Sequence, residues 1–396
     1  MDHLSTPALE SDVVVIGAGV VGVAVAARLA RAGLHVVVIE RHRSFGWEAS
    51  SRNSEVVHAG MYYPTGSLKA QLCVAGNQSL GQWCDERKVP LARVGKFIVA
   101  TSDDEVPELE SILARGIANG VPDFTWADPA KLHEVEPNVA AIAALWSPRT
   151  GIVDSHSLMQ SLADEAEQHD AALAYGATVI AAEFDGSHYV LRFIDADGAT
   201  ESIRTRRVVN AAGLDADHIA EFFGIDADAA GYRLAFVRGA YFRLTEGKRG
   251  LVKHLVYPVP VRGLSGLGIH VTVDLSGGIR FGPHVEPLPD RVQDYHVNPD
   301  LAATFATAAS RYLPGLVPDD LRADQSGIRA RRITPAGGSP DFLIVEETDR
   351  GLPGLVNMIG IESPGLTCCL ELADHVAQLL AVEGPVIGHA HQEITT

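Results

Sequence analysis

After a polar, acidic leader, "MDHLSTPALESD", the chain enters "DVVVIGAGVVGVAVAARLARAGLHVVVIE" (12–40). An unbroken apolar run turns through glycines, gives way to an alanine-rich stretch of helical period, and ends in a second apolar run. That succession predicts a strand, a helix and a second strand. Helical spacing recurs over 66–87, and "KFIVAT" (96–101) suits a strand. "DSHSLMQSLADEAEQH" (154–169) suits a helix capped by Asp154 or Ser155. Between 235 and 286 the pattern changes to short β-like runs broken by Gly and Pro. "TRRVVNAAG" (205–213) then resembles a strand returning to the first unit, and 354–381 a strand, a tight loop and a closing helix. No internal repeat is visible, and "TPAGGSP" (334–340) reads as a loop.

Gly17, Gly19 and Gly22 form GxGxxG directly after the first strand and at the start of the helix, the context in which this motif binds a dinucleotide. Gly17 permits the turn, Gly19 lets backbone approach a pyrophosphate, and Gly22 lets helix and strand pack closely. Phosphate would sit on the exposed N–H groups of the helix start. Glu40 ends the second strand, placed for ribose hydroxyls, and its charge disfavours a 2′-phosphate and hence NADP. The motif alone leaves NAD and FAD open. The fold expected is α/β: a discontinuous Rossmann-like nucleotide domain (1–90, 146–225 and 325–396) and a second, mainly antiparallel β-sheet substrate domain (91–145 and 226–324).

Composition narrows the partners. The 396 residues, 46% of them hydrophobic, suffice for about two domains with real cores. With 50 acidic against 32 basic residues the net charge is −18, which argues against a nucleic-acid partner. The four cysteines include no CxxC pair, and Cys368 and Cys369 are adjacent, so a reducing compartment fits. The leader has neither a basic nor an apolar region, and no run has the length of a membrane span. A cytoplasmic protein is expected, with peripheral membrane contact left open. The tail carries His389 and His391 at HxH spacing, read as a solvated terminus rather than a metal site.

"SSRNSEVVHAGMYYP" (50–64) concentrates hydroxyls, an arginine, a histidine and two tyrosines in a stretch with little periodicity. With the fingerprint, "VVNAAG", "LVYPVP", "LGIHVTVDLSGGIRFGP", "SGIR" and "VNMIGIESPGLT", it resembles the FAD-dependent oxidoreductases of the D-amino-acid oxidase and glycerol-3-phosphate dehydrogenase superfamily. Within that superfamily it is similar to the L-2-hydroxyglutarate dehydrogenase/oxidase family, over about 12–380. The resemblance implies noncovalent FAD, with Ser50, Ser51 and Arg52 along its phosphates and ribityl chain and His58 near the isoalloxazine. It also implies Gly213 at the adenosine side, and Gly360, Gly365, Leu366 and Thr367 in a return loop whose following helix faces the flavin edge. Asn210 reads equally well as a turn residue.

Oxidising a 2-hydroxy acid needs a cation for the carboxylate, a base for the hydroxyl proton and a hydride acceptor. By the resemblance, Arg329 clamps a carboxylate, for which guanidinium gives a planar two-point fit. Imidazole suits the base, and His58 and His270 are both candidates; Tyr62, Tyr63 and Tyr257 are candidates for the pocket wall. Three positions depart from the family pattern: Glu55 stands where glycine is common, "IRARR" replaces "IRPK", and Cys368 and Cys369 replace small residues. Glu55 is expected to bring bulk and negative charge close to the flavin loop and so to alter the substrate. No cysteine matches a flavin-attachment position. The reading is an oxidoreductase for a small carboxylate resembling 2-hydroxyglutarate, reoxidised by oxygen or quinone. Its alternatives are an amine or amino-acid oxidase and a flavin-binding protein without turnover.

Overall fold

A computed structural model describes residues 9–248, 250–260, 268–334 and 340–387; His389 and His391 lie outside them. The opening pattern folds as read: strand Leu9–Ile16, helix Val20–Arg31 and strand Val36–Glu40, with the two strands parallel. The first eight-stranded sheet runs in the order Thr178–Phe184, Tyr189–Ile194, Thr200–Asn210, Leu9–Ile16, Val36–Glu40, Ala172–Tyr175. Leu355–Ile359 pairs parallel with the end of Thr200–Asn210 and carries Leu343–Glu346 antiparallel beside it. Val13, Val15, Val36 and Val38 are fully buried, the continuous apolar signature of strands covered on both faces. Helix Cys369–Leu379 packs on Val20–Arg31, and a buried 2.6 Å ion pair between Arg28 and Asp374 joins them.

The second eight-stranded sheet runs Leu321–Arg332, Leu234–Leu244, Ile279–Leu288, His270–Val273, Leu255–Pro258, Lys96–Ala100, Ala143–Ser147, Thr125–Trp126. It is antiparallel except where Leu255–Pro258 meets Lys96–Ala100. Ala143–Ser147 and Leu321–Arg332 pair along their lengths within this sheet. The boundaries expected at 145/146 and 324/325 therefore cut through strands, whose sheet partners lie far away along the chain. A third, small sheet joins Val56–Val57 to Gly151–Val153 and Leu91–Ala92, fixing the backbone just before His58. Helix Ser155–Gln168 is capped by Asp154, whose side chain accepts from the Ser157 N–H. Asn210 is fully buried and donates to Ala216 O and Asn357 Oδ1, both at 2.7 Å, so it clamps two strands rather than merely turning the chain.

Candidate active site

A cavity of about 930 Å³ is lined from both large sheets and from the loop around 50–64. One end is the glycine turn, with Gly19, Val20, Ser50, Ala211 and Gly213 on its wall. Gly17 sits at φ +100°, and a Cβ there would lie 2.7 Å from the Ala211 carbonyl oxygen. At Gly22 a Cβ would overlap the Gly17 carbonyl oxygen. These two glycines shape the backbone from behind and do not line the cavity. Ser50 Oγ accepts from the Val20 N–H at 2.9 Å, satisfying a donor at the start of the helix. Glu40 is buried, and its carboxylate accepts from Ala18 N (2.7 Å) and His42 N (2.8 Å), bracing the turn.

Of the other residues read as cofactor contacts, Arg52, Gly365, Leu366 and Thr367 line the cavity. Ser51 does not: its N–H donates to Glu48 O in a turn that leaves the residue exposed. Gly360 also stands back, at φ +68°, with its Cβ position 3.2 Å from Arg332 Cβ; it makes the bend after Leu355–Ile359. Thr367 Oγ1 accepts from the His58 N–H at 3.0 Å, so the return loop and the 50–64 loop meet at His58. Glu55 takes a positive φ of 58°, which explains why glycine suits this position. Its carboxylate accepts from Ser155 Oγ (2.8 Å) and Ser155 N (3.2 Å) at a helix start, and it does not line the cavity. The expectation that Glu55 alters the substrate pocket through its charge is not met.

At the other end His58, His270, Arg329, Tyr62, Tyr63 and Tyr257 all line the cavity. His58 Nδ1, Tyr62 Oη and Tyr257 Oη are buried with no hydrogen-bond partner among the described residues. Burial first, and then the positive charges of Lys96 and Arg329, push the His58 imidazole down to about 3. Burial likewise holds His270 well below its ordinary value. Its Nδ1 lies 3.0 Å from Gly268 O, and its ring stacks on Tyr257 at 3.7 Å, so its orientation is fixed. Both imidazoles are neutral near pH 7. The Arg329 side chain makes no hydrogen bond or ion pair among the described residues.

Lys96 escaped the sequence reading, which took "KFIVAT" only as a strand. The side chain is fully buried, with its ammonium 4.5 Å from the Tyr62 ring centroid and 4.7 Å from that of Tyr257. No carboxylate pairs with it among the described residues, and burial pulls it down to about 7. The one available signal was a lysine opening an otherwise apolar run. The four cysteines are free and buried, and none lines the cavity. Among the described residues no group of three or more His, Cys, Asp or Glu is arranged for a metal. No described helix is long and apolar enough to cross a membrane.

A cavity with a glycine turn and helix start at one end and unpaired buried donors at the other fits a long nucleotide cofactor with a substrate beside it. Residues 12–379 match the model of the FAD-dependent oxidoreductase family, and the chain belongs to that family. Its fold is that of L-α-glycerophosphate oxidase from Mycoplasma pneumoniae with FAD bound: TM-score 0.84, 24% identity, 96% of this chain and 98% of the other covered. Glycine oxidase from Geobacillus kaustophilus matches with a TM-score of 0.76 at 21% identity, covering 96% of each chain. In sequence the chain is 38% identical to the mitochondrial L-2-hydroxyglutarate dehydrogenase of Arabidopsis thaliana, over 92% of this chain and 82% of that one. It is 31% identical to the mitochondrial enzyme of that name from Caenorhabditis elegans, over 91% of each. To L-2-hydroxyglutarate dehydrogenase of Escherichia coli K12 it is 27% identical over 92% of each. The protein is an FAD-dependent oxidoreductase.

Proposed function

We propose that the protein oxidises L-2-hydroxyglutarate to the 2-keto acid. The observation that carries this reading is the grouping of Arg329, whose side chain makes no hydrogen bond or ion pair among the described residues, with His58, whose buried Nδ1 has no hydrogen-bond partner among them. Leaving such donors and acceptors unpaired costs about 1–3 kcal/mol each unless a ligand completes them. Arg329 holds the substrate's C1 carboxylate by a two-point contact. His58 accepts the hydroxyl proton, while His270, pinned by Gly268 and Tyr257, orients the hydroxyl. In the free site burial, with the two nearby cations adding to it, keeps His58 neutral and hence able to accept. A carboxylate arriving at Arg329 offsets one of those cations, so the proton affinity of His58 rises once substrate is bound. Tyr62 and Tyr257 close the wall.

Bound FAD supplies the acceptor for the hydride leaving Cα. Gly19, Ser50, Arg52, Gly213 and the 365–367 loop hold it, and no cysteine lies on the wall to form a thioether with it. Glu40 contributes by setting the turn and leaves lone pairs for ribose hydroxyls. The substrate is a small carboxylate and the final acceptor oxygen or a quinone. Four free, buried thiols suit the reducing interior of a cell. Anaerobic mixing with a panel of 2-hydroxy and 2-amino acids tests the reading. L-2-hydroxyglutarate should bleach the flavin fastest and yield the keto acid without ammonia, after which oxygen and quinone are added separately. Bleaching by amino acids alone, with ammonia released, would replace it with the amine-oxidase reading.

A further inference from the structure

Strand Leu321–Arg332 forms one edge of the second sheet, and its side chains alternate strictly where it borders the cavity. Ile328 and Ala330 are 1% and 4% exposed and belong to the core, whereas Gly327, Arg329 and Arg331 line the cavity. Arg331 therefore stands on the same face as Arg329, roughly 7 Å further along the backbone at two residues of strand rise. Arg331 Nε is buried with no hydrogen-bond partner among the described residues.

The two arginines differ in their neighbours. Arg329 acts electrostatically on both His58 and His270. Arg331 instead lies 3.8 Å from Glu362, which lines the cavity and bonds Lys69 Nζ at 3.1 Å. Burial alone would raise the Glu362 carboxyl, but Lys69, Arg331 and Arg329 outweigh it and keep Glu362 ionised. Three cations, Lys69, Arg329 and Arg331, against two carboxylates, Glu362 and Asp341, leave this corner net positive. Asp341, also on the wall, is occupied by the Leu68 and Lys69 N–H groups at 2.7 and 2.9 Å.

Resting on the hydroxy-acid reading, we propose that Arg331 holds the second carboxylate of the substrate and selects a five-carbon diacid over monocarboxylic 2-hydroxy acids. The carboxyl carbons of such a diacid lie about 5 Å apart when extended, from ordinary C–C bond lengths. With the oxygens projecting beyond them, the molecule spans two guanidinium groups set two residues apart on one strand face. Its reacting end lies at Arg329 beside the histidines, and its far end at Arg331. Glu362, itself paired with Lys69, positions the guanidinium of Arg331.

The test compares L-2-hydroxyglutarate with L-2-hydroxypentanoate, which has the same carbon count and no second carboxylate, in FAD-loaded wild type, Arg331→Met and Arg331→Lys. The Met variant should lower the ratio of the two kcat/KM values (diacid over monoacid) by on the order of ten- to a hundredfold, the range for hydrogen bonds to charged groups, through KM rather than kcat. The Lys variant should keep most of the preference. Glutarate and pentanoate, which lack the hydroxyl, give a readout independent of turnover: Met should weaken glutarate binding, followed by the bound flavin's absorbance, far more than pentanoate binding. An unchanged ratio, or equal losses for both acids in variants that retain flavin, overturns the role of Arg331 and leaves the hydroxy-acid reading standing. A wild type reduced by neither acid overturns that reading and this inference together.

Discussion

The two ends of the cavity handle their polar groups in opposite ways. At the glycine turn, Ser50 Oγ takes the Val20 N–H and Glu40 takes those of Ala18 and His42, so the protein satisfies itself before any ligand arrives. At the other end, His58 Nδ1 and the hydroxyls of Tyr62 and Tyr257 are buried with no partner among the described residues, and Lys96 lies between aromatic rings. The holding end is a finished mould whose shape is set by backbone. The reacting end keeps donors and charge in reserve, at a cost to stability, for a ligand that completes them.

The largest expected effect strikes the mould. Gly22→Val would drive its side chain into the Gly17 carbonyl and separate helix Val20–Arg31 from the turn. The purified variant should be colourless, or too unstable to isolate; a yellow protein with the normal complement of FAD would show that the turn tolerates what the packing forbids. Next, His58→Ala should slow flavin reduction by roughly 10² to 10⁴, the usual worth of a general base, without loss of FAD. Stopped-flow reduction at the wild-type rate would move the base to His270 or a bound water.

Arg329→Lys should cost about 1.5–3 kcal/mol in kcat/KM, because an ammonium lacks the two-point hold on a carboxylate. Unchanged kinetics would make the arginine a structural cation. The effect at Lys96 falls chiefly on stability rather than on turnover and appears as pH dependence. The buried ammonium titrates near 7 against an ordinary value of 10.5, so between those values the unfolded chain holds a proton that the folded one lacks. Stability therefore rises with pH across that window. Lys96→Met should remove the rise, gaining most relative to wild type below pH 7, as urea midpoints at several pH values would show. It should also remove an ionisation near 7 from kcat/KM that would otherwise be credited to a histidine.

The same contrast explains what the sequence could disclose. Gly17, Gly19, Gly22 and Glu40 fall within one βαβ unit, so spacing along the chain nearly equals spacing in space. The reacting end gathers 58–62, 96, 257, 270 and 329 from a loop and four strands, and no local pattern reports that assembly. Resemblance to a family supplied His58, His270 and Arg329. It gave no hint of Lys96, whose environment exists only once Tyr62 and Tyr257 close around it. Glu55 misled for a related reason: its charge was visible in the sequence, but its direction, toward Ser155, depends on a helix 100 residues later.

One seam joins the two ends. A Cβ at Gly327 would overlap the carbonyl oxygen of Arg52, and Gln325 Nε2 donates to Asn53 O at 2.9 Å, so the strand bearing Arg329 rests directly on the loop bearing Ser50. Whatever free energy this contact transmits is transmitted equally in both directions. If occupancy at the arginine strand tightens the grip of the loop on FAD, then FAD must tighten the grip of the strand on a carboxylate by the same factor. The dissociation constant of the cofactor in the presence of a non-reacting diacid thereby becomes a meter for the substrate site, readable without a single turnover.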